Sequence, residues 1–399
     1  MLSNVAIALI AGSCLAMPTM AAAETAAAPD QAAGAQPPAA PYVPASGPAD
    51  TRPSLSDDRL AIFTPTSDPI RHTIDYEIWD FALKNILISM GPSDRQGAPR
   101  PEPLTSTRIK HGPQSRYRLE GSMVLFRFFD DDVIASFADY RRDLEGVAET
   151  LDISTLPRNE QLAFWINLHN VALMEQIARD WPVRQPRDIE LDGVPLDEAK
   201  FITLRGIPVS LRDIREKIVF RHWKDPKVIY GFWRGDIGGP QLQSYAFTGA
   251  NVGSLLDIAG ADFVNSLRGT QKRGDRLDVA QLYAEVAPFY FPDFQTDLRA
   301  HLTDFADEPV LTLLARTSEI RPTISEPDIA DLHGGARPPA YMAVQIPGCP
   351  SAWGDAACSV IAARKRKLEA MERKGQPTGR VFFSNIDLPG DPPNKNAVE

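Results

Sequence analysis

Asn159-Glu160-Gln161-Leu162-Ala163-Phe164-Trp165-Ile166-Asn167-Leu168-His169-Asn170, continued to Asp180 and stopped at Trp181-Pro182, is the stretch on which the fold turns. Apolar residues recur on almost every side of the helix this spacing predicts, so that helix is expected to run through a core rather than over a surface. The Trp-Pro step ends it, because a proline ring disfavours helical backbone at the residue before it. Polar groups inside such a helix are costly unless partnered. At about 100° per residue, Glu160, Asn167 and Asn170 fall near one another on the circumference and His169 points the other way. These three are therefore expected to form one hydrogen-bonded set. Two readings of the set stay open. It ties the helix to neighbouring loop backbone, or it lines a cleft in which a buried Glu160 of raised pKa serves as acid or base.

Outward from this helix, Thr73 to Met90 has a helical pattern ending at Gly91-Pro92, Ser122 to Phe129 alternates like a strand, and Asp130 to Leu151 reads as a helix. Ile189 to Val209 reads as a pair of hairpins with Asp192-Gly193 and Arg205-Gly206 as turns. Ser210-Leu211-Arg212-Asp213 is a capping box with aspartate in place of glutamate. Lys227 to Trp233 reads as a buried strand entering the loop Arg234-Gly235-Asp236-Ile237-Gly238-Gly239-Pro240. Beyond Thr248 the pattern is mostly helical, with helices expected at Leu255 to Leu267 and Gln295 to Phe305. Strands that do not alternate regularly with helices give an α+β class: a mainly helical single domain around a small sheet, with irregular loops.

The glycine loop is a second candidate site, since backbone without side chains lets amides approach an anion closely. Arg234 and Asp236 are its charged members. They read equally as an ion pair pinning a tight turn. The loop lacks the spacing of a nucleotide-binding motif. His169 by itself is more often a core histidine than a catalyst, and the six histidines stand singly, so no metal site and no cofactor is expected.

Met1 to Ala23 holds a short apolar run and the small residues Ala21-Ala22-Ala23, the pattern of a signal peptide. A lipid anchor at Cys14 ranks second, because Ala11 stands where an aliphatic residue is expected. Residues 24–56 are rich in alanine and proline and read as a disordered tether. Residues 57–333 read as the globular domain and 334–399 as an extension with a flexible tail, to which Val381-Phe382-Phe383 adds a short strand first. Cys349 and Cys358 in that extension are expected to form a disulfide in an oxidising compartment. A periplasmic or secreted location follows, with no transmembrane helix. A formal net charge of -10 argues against nucleic acid as partner, which leaves an unidentified small molecule or protein as ligand.

The run Asn159 to Asn170 with Trp181-Pro182-Val183, then Ile207-Pro208-Val209-Ser210-Leu211-Arg212-Asp213-Ile214, then Asp225-Pro226-Lys227-Val228, resembles the family catalogued as domain of unknown function 547. The likeness extends over roughly Ile74 to Arg316. In that family the segment after the Asp-Pro pair carries a histidine and then two cysteines, the second followed by proline, which implies a thiol hydrolase or transferase site. This chain keeps the proline as Pro240 but has Ile229 at the histidine, Arg234 at the first cysteine and Gly239 at the second. His169 stands at a common tyrosine, and Arg215-Glu216 at a frequent glutamate-histidine pair. A thiolate nucleophile needs a cysteine, so thiol catalysis at the family position is excluded.

Three functions remain. The first is a non-catalytic binding or scaffolding protein, in which Asn167, Asn170 and Arg234 are the binding residues. The second is a hydrolase of altered, non-thiol chemistry using Glu160, His169 or Asp236 through water, which requires at least two of them to converge. The third is an interaction protein working through its acidic exterior and proline-rich tether.

Overall fold

The computed structural model describes residues 55–66, 71–100, 112–337, 353–379 and 398. In chain order, α1 (Glu77–Ile86) leads directly into β1 (Leu87–Ser89), which pairs antiparallel with β2 (Ser122–Val124). Next comes α2 (Asp131–Thr150), started by Asp130, whose carboxylate accepts from the Val133 amide. After α3 (Arg158–Asp180), two hairpins pair β3 (Glu190–Leu191) with β4 (Val194–Pro195) and β5 (Ile202–Leu204) with β6 (Ile207–Val209). A π-helical segment, Asp213–Val219, finishes as α4 (Phe220–His222), and α5 (Val252–Val264) follows. Strands β7 (Thr270–Arg273) and β8 (Arg276–Ala280) are antiparallel, and β8 is parallel to β9 (Glu319–Ile324). A parallel pair needs a crossover, supplied by α6 (Leu282–Tyr290), α7 (Phe294–Phe305) and α8 (Glu308–Ala315). The last described helix is α9 (Gly354–Arg373).

The protein is mainly helical, with small two- and three-stranded sheets. α3 is the axis of the core: every residue from Glu160 to Ala178 is buried, and α2, α5 and the π-helical segment pack against it. Burying Glu175 on this helix would be costly for a lone carboxylate. Arg141 and Arg179 both pair with it, the latter at 2.8 Å.

Both hairpin turns form at the expected residues. Asp192 (φ 53°) with Gly193 (φ 78°), and Arg205 (φ 48°) with Gly206 (φ 72°), take the left-handed backbone that a two-residue hairpin turn requires. The capping box also forms: Ser210 Oγ accepts from the Asp213 amide at 3.0 Å, and Asp213 Oδ2 accepts from the Ser210 amide at 3.2 Å.

Lys227 to Trp233 is not a strand. Asp225 accepts from the Lys227 amide at 2.9 Å and starts a 3-10 turn over Pro226–Gly231. A short apolar run such as Val228-Ile229-Tyr230 is equally compatible with a buried helical turn, and the proline favours the turn here. The helix expected over Thr73 to Met90 gives its last turn to β1, and the strand expected over Ser122 to Phe129 ends at Val124, before a 3-10 turn at Phe126–Phe128. The β7-β8-β9 sheet falls in a region read as mostly helical.

The C-terminal extension packs on the core through α9, where Lys367 Nζ donates to the Leu119 carbonyl at 2.7 Å and Arg364 Nε to that of Ser89 at 2.6 Å. Cys358 is buried on α9, but its expected partner Cys349 lies outside the described residues. So do the expected signal peptide, Cys14, residues 24–54 of the tether expected over 24–56, His111 and the strand at 381–383, while residues 55–56 of that tether open a 3-10 turn over Leu55–Phe63. Among the described residues no helix is long and apolar enough to cross a membrane.

Candidate functional site

Glu160, Asn167 and Asn170 do not bond to one another. Each instead clamps a different piece of loop backbone against α3. Glu160 Oε1 accepts from the Ile74 amide at 2.8 Å and Oε2 from the Gly249 amide at 2.9 Å. Asn167 takes both polar groups of one residue, accepting from the Phe247 amide at 3.1 Å and donating to its carbonyl at 2.7 Å. Asn170 accepts from the Trp233 amide at 3.1 Å and donates to the Gly231 carbonyl at 2.9 Å. The common helix face was legible, but separate chain segments cross that face and each side chain meets its own. Burial pushes the Glu160 carboxyl up, while the two amides pull it back.

His169 occupies the centre of a second, charged arrangement. Its ring is fully buried and packs edge-on against Phe232, with centroids 5.0 Å apart. Nδ1 lies 3.0 Å from Asn170 Oδ1, and Nε2 lies 2.9 Å from Nη1 of Arg215. A guanidinium can only donate, so Nε2 must present its lone pair and Nδ1 must carry the proton. Burial first, and then the Arg215 charge, push the imidazole well below its usual range. The ring is thus held neutral.

Arg215 lies in the π-helical segment, where the Phe220 amide donates to the Arg215 carbonyl five residues back, a widened turn common at functional sites. Its side chain is 1% exposed, and Nη2 donates to Asp197 Oδ2 at 2.7 Å. Asp197 comes from the segment after β4 and also meets Arg212 at 3.3 Å. Burial alone would raise its carboxyl, but the Arg215 guanidinium holds it well below the usual carboxylate range. Glu216 is pushed up by burial against the pull of Arg215 and Arg212.

Arg234 joins this group electrostatically, within reach of His169, Arg215, Asp197 and Glu216. Its ion partner is not Asp236 but Glu285 on α6, at 3.1 Å. Asp236 closes the glycine loop alone, accepting from the Gly239 amide at 2.6 Å, while Arg268 takes the Ile237 and Gly239 carbonyls at 3.1 and 2.9 Å. The loop's polar backbone is therefore already engaged on this side. Burial pushes the half-buried Asp236 carboxyl up to about 6.

The structure thus brings His169, Asn170 and Arg234 together and leaves Glu160 and Asn167 to loop clamping. Sequence reasoning missed Asp197 and Glu285, which carry no periodic or motif signal. Arg215 and Glu216 were visible as departures from the family pattern. Among the described residues no group of three or more His, Cys, Asp or Glu side chains is placed to hold a metal ion.

Residues 153–264 match the family described as "Protein of unknown function, DUF547", so the chain carries a DUF547 domain there. That span contains α3, both hairpins, Arg215 and the glycine loop. No curated protein and no solved structure matches the chain.

Proposed function

We propose that this chain is an exported protein of the cell envelope, periplasmic or secreted, whose DUF547 domain binds a ligand rather than transforming it. The Arg215–His169 contact carries the reading. It fixes a neutral imidazole and a buried guanidinium in place, with Asp197 and Asn170 as outer partners. The imidazole that would serve as base has its acceptor nitrogen filled by a cation, and its ring is out of solvent. Glu160, the buried acid or base of the alternative reading, has both oxygens bonded to backbone amides. What remains at the solvent edge is a set of charged side chains suited to holding a partner: Arg234, Asp197, Glu216 and Glu285.

A hydrolase of non-thiol chemistry is the second reading, favoured by Asp236, whose carboxyl at about 6 suits a general acid or base. A thermal-shift screen of charged and neutral small molecules, run beside ester, thioester and peptide hydrolysis assays, separates the two. The binding reading predicts a stabilising ligand whose effect is lost in Arg234→Gln, without turnover. Hydrolysis abolished by Asp236→Asn overturns it.

A further inference from the structure

Arg215 and Arg234 place two guanidiniums within electrostatic reach of each other, and neither is fully engaged. Arg215 uses Nη1 on His169 and Nη2 on Asp197, leaving its buried Nε without a partner. Among the described residues Arg234 pairs through Nη2 with Glu285, and its buried Nε has no partner. The two arginines differ in access. Arg215 is sealed at 1% exposed, whereas the Arg234 side chain is 22% exposed and its partner Glu285 58%.

A guanidinium reaches its full strength when two of its N–H groups grip one oxyanion as a fork. Arg234 is held by one nitrogen to one oxygen of an exposed carboxylate, the weak kind of ion pair. Arg215 cannot rotate to help, because His169 and Asp197 hold both its terminal nitrogens. It instead contributes a fixed positive charge behind Arg234. An external carboxylate that replaced Glu285 would exchange one negative charge for another on Arg234, and a phosphate group would bring at least as much. Asp197 would not compete for Arg234, being engaged by Arg215 and Arg212.

We propose that Arg234, backed by Arg215, is an oxyanion-binding fork that takes the carboxylate or phosphate group of a small ligand, with Glu285 occupying it in the ligand-free chain. This rests on the binding reading above and names the chemistry of its ligand.

The test is calorimetric titration of the full chain with sodium phosphate and, separately, sodium acetate, at ionic strength held constant with sodium chloride. Glu285→Gln removes the internal competitor at an exposed position and is expected to tighten anion binding about two- to five-fold, the size of a surface ion pair. Arg234→Gln is expected to weaken it at least about ten-fold, with circular dichroism confirming the fold. Tightening for phosphate alone assigns a phosphoryl ligand, and for acetate alone a carboxylate ligand. If neither anion binds more tightly to Glu285→Gln than to the parent chain, the inference is overturned even where Arg234→Gln fails to fold. A neutral or cationic molecule that stabilises the chain through Arg234 would then sink the oxyanion fork while sparing the binding reading. Turnover lost in Asp236→Asn would sink the binding reading itself.

Discussion

Nε2 of His169 lies 2.9 Å from Nη1 of Arg215, between α3 and the π-helical segment that packs against it. A histidine and an arginine so close repel if both are charged, and the arginine keeps its proton. The imidazole is therefore the neutral partner, and its remaining N–H is directed to Asn170, whose oxygen also receives the Trp233 amide. Core helix, π-helical segment and the start of the glycine loop are joined through this one ring.

Asn170 then matters more than Asn167, although both are buried carboxamides on α3 that hold loop backbone. Asn170→Ala strands the Gly231 carbonyl, the Trp233 amide and the His169 N–H, whereas Asn167→Ala strands the two polar groups of Phe247. An unsatisfied buried group costs about 1–3 kcal/mol. Urea denaturation should show losses of about 3 kcal/mol or more for Asn170→Ala and about 2 kcal/mol for Asn167→Ala. The reverse order would contradict the network.

Gly249 is glycine because of Glu160. A Cβ at Gly249 would sit 2.1 Å from Glu160 Oε2, so Gly249→Ala must break the carboxylate's bond to the Gly249 amide or displace α3. A loss of about 2 kcal/mol is expected in thermal or chemical denaturation. Gly146, on the exposed face of α2, has nothing within 4 Å of its added Cβ. Gly146→Ala should stabilise by about 0.5–1 kcal/mol, and equal effects at the two glycines would refute the assignment.

Asp236 gives stability a pH dependence of definite sign. Its carboxyl is raised from 3.8 to about 6 by burial, so the folded chain holds the proton more tightly than the unfolded chain. Through this group, stability is fully present below 3.8 and declines as pH rises to about 6. Asp236→Asn keeps an oxygen for the Gly239 amide and cannot ionise. The stability of the variant relative to the parent should increase across that window and level off above it, as read by denaturation at successive pH values. A difference independent of pH would show that Asp236 titrates as it does in the unfolded chain.

Long, strongly periodic segments were legible: α2, α3 and α7 lie within a few residues of their expected spans, because an apolar pattern sustained over several turns fits only one period. Pro226 to Gly231 was not, because four or five apolar residues fit a strand and a 3-10 turn alike. Sequence placed Glu160, Asn167 and Asn170 on one helix face but could not show that separate loops cross it. His169 was legible as a core histidine, and its partner Arg215 only as a departure from the family pattern. Asp197 and Glu285 reach the site from a loop and from α6, and nothing local in a chain announces a contact made that far along it.

Nitrogen-15 NMR of the His169 ring, followed as pH is lowered from 8, addresses the locked imidazole–guanidinium network most directly. The folded-state pKa lies below the ordinary 6.5, so the stabilising effect of the neutral ring is complete above 6.5, is lost progressively as pH falls from 6.5 to the lower folded value, and loses nothing further below it. A proton on Nδ1, a bare Nε2 and no titration through pH 6.5 are expected in the parent chain, with the titration moving part of the way back toward 6.5 in Arg215→Met, where burial still holds the ring neutral. A proton on Nε2, or a normal titration near 6.5 in the parent chain, would contradict the locked network.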